Sequence, residues 1–269
     1  MNTALRIAVA ALMTISATAT FAKPVLNETT GKEYRTLRDA VKRADSGDVL
    51  IVNESLSVDS PLNPGDREIT IKGGTDDIVL TYNTTTSTGG YSSMIIFEKE
   101  VNAGILNIEN VTFDGDGVDY DGNFVLVRNG GTLNLSDVTF RNFKTSATNG
   151  IIRALSNNKE EDANSSISLS DVKFADCSAA IDVFIANNNT TVKMAGDCDF
   201  SISLNNAGGV AIEATDLTNT KPITLYAQRR RAGKAIVKGC ADPARFNWAD
   251  APADLTLAAD GANLITEAE

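Results

Sequence analysis

The sequence predicts an all-β chain whose strands stack as successive coils of a solenoid, closed at its N-terminal end by a short α-helix. Three observations predict this fold: an eight-residue pattern that recurs along the chain, small polar residues at matched positions after each part of the pattern, and an amphipathic segment ahead of the first long strand. A repeat of this length cannot bury its apolar face alone and must stack on its neighbours.

The recurring pattern is apolar-x-apolar-x-x-Val-x-Phe. Its three copies begin at Leu106, Leu133 and Ile167, and a degraded fourth copy at Val192 has one additional residue before Phe200. The alternation of apolar and polar residues has the period of a β-strand. Stacking of the copies predicts two internal columns, one of phenylalanine (Phe113, Phe140, Phe174) and one of valine (Val111, Val138, Val172). An earlier segment, "REITIKGG" at residues 67–74, predicts a further strand of the same kind.

Polar residues and glycine at two matched positions predict the corners between strands. The first position holds Asn110, Asp137 and Asp171, and the second holds Gly115, Asn142 and Asp176. Short polar side chains close Asx turns, and these residue types tolerate the left-handed conformation that a sharp corner needs. Strand, corner, short strand and corner at a period of roughly 25 residues describe a coiling chain.

The segment before the first long strand predicts a capping helix. Its apolar face comprises Tyr34, Leu37, Val41 and Ala44. Thr36 is placed to cap the helix, with Asp39 three residues later, and Gly47 predicts its C-terminal stop. The apolar strand 49–52 follows. Such a helix covers the open end that a solenoid otherwise exposes.

The C-terminal tail predicts the last strands and a cap. "PITLYA", "KAIVKG" and "DLTLAADGANLI" are typical of strands, and "QRRRAGK" and "CADPARFNWADAPA" are predicted to be the loops between them.

The first 22 residues have the build of a cleaved secretory signal. Arg6 supplies a positive charge, residues 7–17 are apolar and uncharged, and small residues end at Ala22 before Lys23. We therefore expect a protein that is secreted, periplasmic or on the cell surface, with no transmembrane segment. The predicted division is 1–22 signal peptide, 23–47 N-terminal segment and capping helix, and 48–269 solenoid with its C-terminal cap.

Composition narrows the function. The chain has a net charge of −11 and contains no histidine. The acidic balance argues against nucleic acid as a partner, and the missing imidazole removes Ser/His and Cys/His catalysis and most transition-metal sites. Of the three cysteines, Cys177 and Cys198 are separated by about one repeat, so either a disulfide between them or buried thiols are expected.

The acidic stretch "VTFDGDGVDYDGN" at residues 111–123 has two interpretations. Asp114, Asp116, Asp119 and Asp121 are candidate ligands of a calcium ion, although the spacing departs from known calcium loops. The alternative is a Gly/Asp turn that leads into the next strand. We expect no required cofactor, with calcium as the candidate ion.

Two further sets of residues are candidates for a site. Asp114 and Arg141 occupy the same position in successive copies, so with Asp116 they provide a carboxylate pair and an arginine for sugar chemistry, or else Asp114 and Arg141 form an ordinary ion pair. Arg229, Arg230 and Arg231, in the basic run 228–234, either grip an acidic glycan or anionic cell surface or form a solvated loop.

Two segments carry a resemblance to a known family. "TLRDAVKRADSGDVLIV" followed by "ITIKGG" resembles the opening of right-handed parallel β-helix proteins of the pectin-lyase-like superfamily. "GGTLNLSDVTFRNF" (residues 130–143) resembles the repeats of β-helical bacterial surface proteins and adhesin passengers. The resemblance covers roughly residues 34–206 and implies a right-handed parallel β-helix. In hydrolases of that superfamily paired aspartates are acid and base, and in its lyases an arginine acts beside calcium.

These observations predict a non-catalytic, adhesin-like binding module that contacts a glycan or a cell surface. The alternatives are a polysaccharide lyase or glycoside hydrolase acting on an acidic polysaccharide, which would use Asp114, Asp116 and Arg141, and a structural protein of the cell envelope. The sequence shows no cluster of aromatic residues for stacking sugar rings, which favours binding without catalysis. The oligomeric state is left open.

Overall fold

A computed structural model describes the chain from residue 23, with gaps. The described ranges are 23–82, 93–97, 104–117, 119–120, 123–128, 130–145, 150–155, 165–178, 182–185, 190–198, 200–204, 210–218, 222–227, 233–238, 245–249, 256–260 and 263–268. Several predictions concern residues outside these ranges: the signal peptide 1–22, Asp121, and Arg229, Arg230 and Arg231.

The described residues form one α-helix, α1 (Leu37–Arg43), and 24 strands. The first twelve strands are β1 (Val25–Asn27), β2 (Lys32–Tyr34), β3 (Asp48–Val52), β4 (Leu56–Val58), β5 (Glu68–Gly73), β6 (Val79–Tyr82), β7 (Ile95–Ile96), β8 (Ile105–Asp114), β9 (Asp119–Tyr120), β10 (Val125–Arg128), β11 (Thr132–Arg141) and β12 (Lys144–Thr145). The others are β13 (Ile152–Leu155), β14 (Ser166–Ser170), β15 (Lys173–Ala175), β16 (Val183–Ile185), β17 (Thr191–Gly196), β18 (Ile202–Leu204), β19 (Val210–Leu217), β20 (Ile223–Ala227), β21 (Gly233–Lys238), β22 (Phe246–Ala249), β23 (Thr256–Asp260) and β24 (Asn263–Ala268).

These strands form three sheets. The large sheet has the order β2-β1-β3-β5-β8-β11-β14-β17-β19-β21-β24-β23, with β4, β6 and β15 beside this path. Its interior pairs are parallel, and an antiparallel hairpin closes each end. The second sheet, β22-β20-β18-β16-β13-β10-β7, is parallel throughout, and β9 pairs with β12 in a third. From β8 to β22 the chain alternates between the large and second sheets. The all-β prediction is confirmed, with mostly parallel pairing.

The predicted copies of the repeat lie in register. Leu106 pairs with Leu133, Leu133 with Ile167, and Ile167 with Val192, so all four copies are adjacent strands of the large sheet. Ile69 of the predicted strand 67–74 pairs with Leu106 at the other side. Inward-facing and outward-facing residues alternate along the first part of each copy. A shift of one residue in the pairing would turn every apolar side chain to the other face, so the apolar pattern fixes the register.

The predicted aromatic column is present. The rings of Phe113 and Phe140 stack with centroids 5.3 Å apart and planes 20° apart, and those of Phe140 and Phe174 with centroids 5.1 Å apart and planes 10° apart. Phe124, which precedes β10 of the second sheet, contacts Phe113 edge-on. The core therefore lies between the large and second sheets and holds buried residues from both.

Left-handed residues mark the predicted corners. Asn110, Asp137 and Asp171 have φ angles of 55°, 53° and 54°, as their matched position predicts. At the second position Asn142 and Asp176 are also left-handed, with φ of 57° and 52°. In the first copy, however, the left-handed residue is Asp116, one residue later than the predicted Gly115. Position 115 requires glycine for space instead, because a Cβ there would lie 2.8 Å from the ring of Phe143.

The predicted helix is present, but it does not end where Gly47 predicted. The Thr36 hydroxyl accepts a hydrogen bond from the backbone N–H of Asp39 at 3.1 Å. The helix ends at Arg43, and Ala44 is already extended. The guanidinium of Arg67 donates to the carbonyl oxygens of Ala44 and Lys42, at 2.6 and 3.3 Å, and so satisfies the C-terminal carbonyls without a glycine cap.

The three predicted tail strands are confirmed as β20, β21 and the β23–β24 hairpin. One tail prediction is wrong: the segment around Trp248 contains β22, which pairs in parallel with β20. Its alternation of Phe246 and Trp248 spans four residues, which is too short to distinguish a strand from a loop by pattern. Within the described ranges, no helix has both the length and the apolarity needed to span a membrane.

Candidate binding surface

A groove on the outer face of the large sheet is the candidate site. It runs across β8, β11, β14 and β17, has a volume of about 390 Å³, and is lined by twelve residues. Its two walls are columns of outward-facing side chains: Asn107, Asn134, Ser168 and Lys193 on one side, and Glu109, Ser136, Ser170 and Ala195 on the other. Because adjacent strands lie about 4.8 Å apart, a groove across four strands spans roughly 14 Å.

Hydrogen bonds between strands hold one wall in place. The Asn134 amide Nδ2 donates to Asn107 Oδ1 at 2.8 Å, and Asn107 Nδ2 donates to the Thr70 hydroxyl at 3.3 Å. Thr70, Asn107 and Asn134 are register partners, so this ladder follows directly from parallel pairing. These three side chains are half-buried, so they have little conformational freedom before a ligand binds. Binding therefore costs less side-chain entropy than it would with fully mobile side chains.

The charged residues of the groove are neutralised by partners on the neighbouring strands. Glu109 forms an ion pair with Lys72, and Lys193 forms one with Glu213, each at 3.5 Å. All four side chains are 40–55% exposed, so these pairs stabilise the fold little. With both of its charged residues paired in this way, the groove has no net charge.

The groove offers mainly amide and hydroxyl groups for hydrogen bonding. Amide and hydroxyl groups both donate and accept hydrogen bonds, which suits a ligand rich in hydroxyl groups. Glu109 is the one carboxylate among the twelve lining residues. Acid–base hydrolysis of a glycosidic bond commonly uses two carboxyl groups that flank the bond.

The predicted Asp114–Arg141 contact is present beside this surface. Asp114 and Arg141 are register partners, and Arg141 Nε donates to Asp114 Oδ2 at 2.7 Å. Asp114 Oδ1 also accepts from Asn142 Nδ2 at 3.0 Å and from the backbone N–H of Asp116 at 2.9 Å. The carboxylate of Asp114, 14% exposed, is thus held by three donors.

These donors determine the protonation of Asp114. Burial by itself raises its pKa, but hydrogen bonds from Asn142, the Asp116 backbone and Arg141, with the charge of Arg141, outweigh burial and hold the pKa below the ordinary 3.8. A general acid at neutral pH needs a raised pKa. Asp114 therefore has the properties of a structural ion-pair partner, which was one of its two sequence interpretations.

The acidic turn does not gather its carboxylates around one point among the described atoms. Asp116 is exposed and left-handed, and the N–H of Gly117 donates to the Asn142 carbonyl at 3.1 Å. No group of three or more potential metal-ligating side chains occurs in the part of the chain that the structure describes. The Asp119 side chain and all of Asp121 lie outside it, so the calcium prediction stays a prediction.

Of the two alternatives for Cys177 and Cys198, a disulfide or two thiols, the structure has the thiols. Cys177 Sγ donates to the Ala175 oxygen at 3.4 Å, and Cys198 Sγ donates to the Ala195 oxygen at 3.1 Å. Burial raises the pKa of Cys177 to about 11 and also raises the pKa of Cys198. Both thiols are therefore protonated at neutral pH and poor nucleophiles.

The groove residues were missed by sequence reasoning, which singled out Asn110, Asp137 and Asp171 as the polar column. The signal was present within the repeat itself. Between the two inward-facing residues of each copy stand Asn107, Asn134 and Ser168, all polar and all uncharged. A column of this kind on the outer face of stacked strands indicates a polar surface with a regular spacing.

In comparisons with known proteins, no family model matches the chain, and neither the curated proteins nor the solved structures give a match.

Proposed function

We propose that this protein is a secreted or surface-exposed, non-catalytic binding module that holds a glycan strand in the groove across β8, β11, β14 and β17. The observation that carries the proposal is the hydrogen-bonded ladder of Asn107 and Asn134 in the wall of that groove. A row of amides and hydroxyls repeated at the strand spacing presents similar hydrogen-bonding groups at regular intervals, which suits a polymer of repeating units.

The proposal includes a right-handed parallel β-helix as the fold. Parallel pairing of strands one repeat apart, with the chain alternating between two sheets, supports it. The resemblance of residues 34–206 to the pectin-lyase-like superfamily supports the same fold and its handedness. In such a fold the groove runs along the axis of stacking, so a ligand lying in it contacts several coils at once.

We favour a neutral glycan as the ligand of the groove. Lys193 and Glu109 are each paired with an opposite charge, so the groove neither attracts nor repels a charged polymer strongly. The chain as a whole has a charge of −11, which opposes the approach of a polyanion to this face.

Binding is favoured over catalysis by the state of Asp114. A hydrolase built on Asp114 and Asp116 needs a carboxyl group that is available for proton transfer. A lyase would use the arginine instead, but Arg141 is engaged by Asp114 at 2.7 Å. The Asp114 carboxylate is occupied by three donors and has a lowered pKa. A structural role in the cell envelope has no specific observation in its favour.

Binding to a panel of neutral and acidic glycans, with matched variants, tests this proposal. Asn134→Ala removes one wall residue, and Thr139→Ala changes an outward-facing residue of the same strand outside the groove. We expect Asn134→Ala to weaken glycan binding roughly tenfold, since one or two hydrogen bonds of about 1 kcal/mol are lost. Thr139→Ala should bind as the unchanged protein does. Equal affinities for all three proteins, or no glycan bound at all, would contradict the proposal.

Export is tested separately by N-terminal sequencing of the protein produced in a secreting bacterial host. The proposed signal peptide predicts a mature chain that begins at Lys23 and is found outside the cytoplasm. A chain that keeps residues 1–22 and stays in the cytoplasm would contradict the proposed location and leave the groove hypothesis untouched.

A further inference from the structure

The N-terminal end of the molecule differs in charge from the rest of the chain. Residues 23–43 contain six lysines and arginines and three acidic residues. The remaining residues contain 18 basic and 32 acidic side chains, a net charge of −14. A positive end on an acidic protein creates a local field that attracts anions to that end alone.

A cleft of about 690 Å³ lies at this end, between the β1–β2 hairpin and α1. Four cationic side chains line it: Lys23, Lys32, Arg35 and Arg43. Two acidic residues, Glu33 and Asp39, and the half-buried ring of Tyr34 complete the lining. The cations thus come from two different elements and surround one concave surface.

These cations have no ion-pair partner among the described residues. On the sheet, by contrast, Lys72, Arg141, Lys173 and Lys193 each pair with a carboxylate. In the cleft the Lys23 ammonium donates to the backbone oxygen of Glu33 at 3.2 Å, and no described carboxylate lies within ion-pair distance of the four cationic side chains. Charges arranged without partners remain available for an anionic ligand.

The spacing of the cations indicates an extended ligand. Arg35 precedes α1 and Arg43 ends it, and a seven-residue helix is about 10 Å long. The backbones of these two arginines therefore lie at opposite ends of the helix, much farther apart than the oxygen atoms of one carboxylate or sulfate group. A chain that carries an anionic group on successive units reaches both.

The geometry points to an anion-binding cleft at the N-terminal end that takes an acidic polysaccharide, one whose sugar units carry carboxylate groups. Tyr34, which packs against the core and also lines the cleft, adds an aromatic side chain of the kind that contacts sugar rings and that an inorganic anion does not use. Duplex nucleic acid, with one charge per roughly 1.7 Å, is repelled more strongly by the remaining −14 than a polymer with one charge per sugar. A concave cleft also suits a single chain better than a flat lipid surface.

Binding of polygalacturonate, measured at low and at raised salt, tests the cleft. The cleft variant is Lys32→Gln with Arg35→Gln. Its matched control is Arg38→Gln with Lys42→Gln, which removes the same charge from residues that line a different cavity on α1. We expect the cleft variant to lose about tenfold or more in affinity, since two charge-assisted contacts are removed, while the control loses about threefold or less through long-range electrostatics alone.

Each outcome supports or overturns the assignment. Loss of binding in the cleft variant but not in the control supports it, and weakening on addition of salt agrees with ionic contacts. Equal losses in the two double variants, or no binding of polygalacturonate at low salt by the unchanged protein, overturn it. Because Asn134→Ala leaves the cleft intact, it should not change polygalacturonate binding, so failure of the groove proposal and failure of the cleft proposal are distinguishable.

Discussion

The fourth copy of the repeat has one residue more than the first three copies, and its structure differs from theirs at the phenylalanine that follows the additional residue. In the first three copies the rings of Phe113, Phe140 and Phe174 stack with planes 10–20° apart. The fourth copy has one additional residue before Phe200, and the Phe200 ring lies edge-on to Phe174, at 70° and 5.6 Å. The copies therefore agree until the insertion and diverge after it.

The backbone shows the same divergence. Val138 and Phe140 pair with Val111 and Phe113, so the ladder of the large sheet continues beyond the corner at Asp137. In the fourth copy β17 ends at Gly196, before the corresponding residues, and the register with β19 shifts between Met194 and Gly196. The part of each copy before the corner tolerates sequence drift, whereas the Val-x-Phe part requires an unbroken count of residues. Four experiments test this comparison, from the largest expected effect to the smallest.

Insertion of one glycine after Asp137 reproduces in the second copy the irregularity of the fourth. The added residue moves Val138 and Phe140 away from their inward positions, because the side-chain period of a strand is two. We expect the free energy of unfolding in urea to fall by more than about 5 kcal/mol, the combined cost of removing a valine and a phenylalanine from the core. A loss below about 2 kcal/mol would show that the count of residues does not control the stack.

Truncation of single rings compares the two environments directly. Phe140→Ala should lower the free energy of unfolding by about 3–5 kcal/mol, as expected of a fully buried ring. Phe200→Ala should cost about 1–2 kcal/mol less, because Phe140 stacks on two rings and each such contact adds roughly 0.5–1.5 kcal/mol beyond burial. Urea denaturation of both variants gives the difference. Equal losses would mean that stacking adds nothing to burial.

Glycine substitution at the corners separates backbone conformation from side-chain contacts. Asp137 and Asp171 are both left-handed, but the Asp171 carboxylate also accepts from the Asp197 N–H at 2.8 Å and from the Ser170 hydroxyl at 3.1 Å. Asp137→Gly should therefore be neutral or slightly stabilising. Asp171→Gly should destabilise by about 1 kcal/mol through its lost hydrogen bonds. Thermal unfolding of the pair measures this, and the opposite order would contradict the assigned roles.

The Asp114–Arg141 contact joins the first two copies and has no equivalent in the third, where Ala175 pairs with Arg141. Because the pKa of Asp114 lies below 3.8 in the folded protein, its ionised form stabilises the fold above that pH, and the contribution is lost as pH falls through the folded pKa. Unfolding measured from pH 6 downward should find Asp114→Asn less stable than the unchanged protein, with the difference shrinking as the pH falls below 3.8 and through the lowered pKa of the folded state. A difference that grows on acidification would contradict a lowered pKa.

Much of the fold could be predicted from the sequence because the repeat specifies its own register. Once Leu106, Leu133 and Ile167 are aligned, the aromatic column, the valine column and most left-handed corners follow from strand geometry. The end of α1 could not be predicted, because it depends on Arg67, which lies 24 residues beyond Arg43. The short strand β22 could not be predicted either, since four residues carry too little periodicity.

The candidate site was predicted less well, for a physical reason. Sequence reasoning looked for charged residues, and the predicted Asp114–Arg141 pair is present as an ion pair. The groove is built from uncharged residues such as Asn107 and Ser168, which stand out only when strands one repeat apart are placed side by side. The N-terminal cleft combines Lys23 with residues of β2 and α1, and whether its cations have ion-pair partners depends on three-dimensional distances.

We propose that this molecule binds glycans without cleaving them. The most direct test of this proposal is incubation of the purified protein with the panel of neutral and acidic polysaccharides, with and without calcium, measuring both retention of the polymer and new reducing ends. We expect retention of at least one neutral polysaccharide with no new reducing ends in either condition. New reducing ends, which would disappear in Asp114→Asn, would contradict it and assign the turn at Asp114 and Asp116 to catalysis.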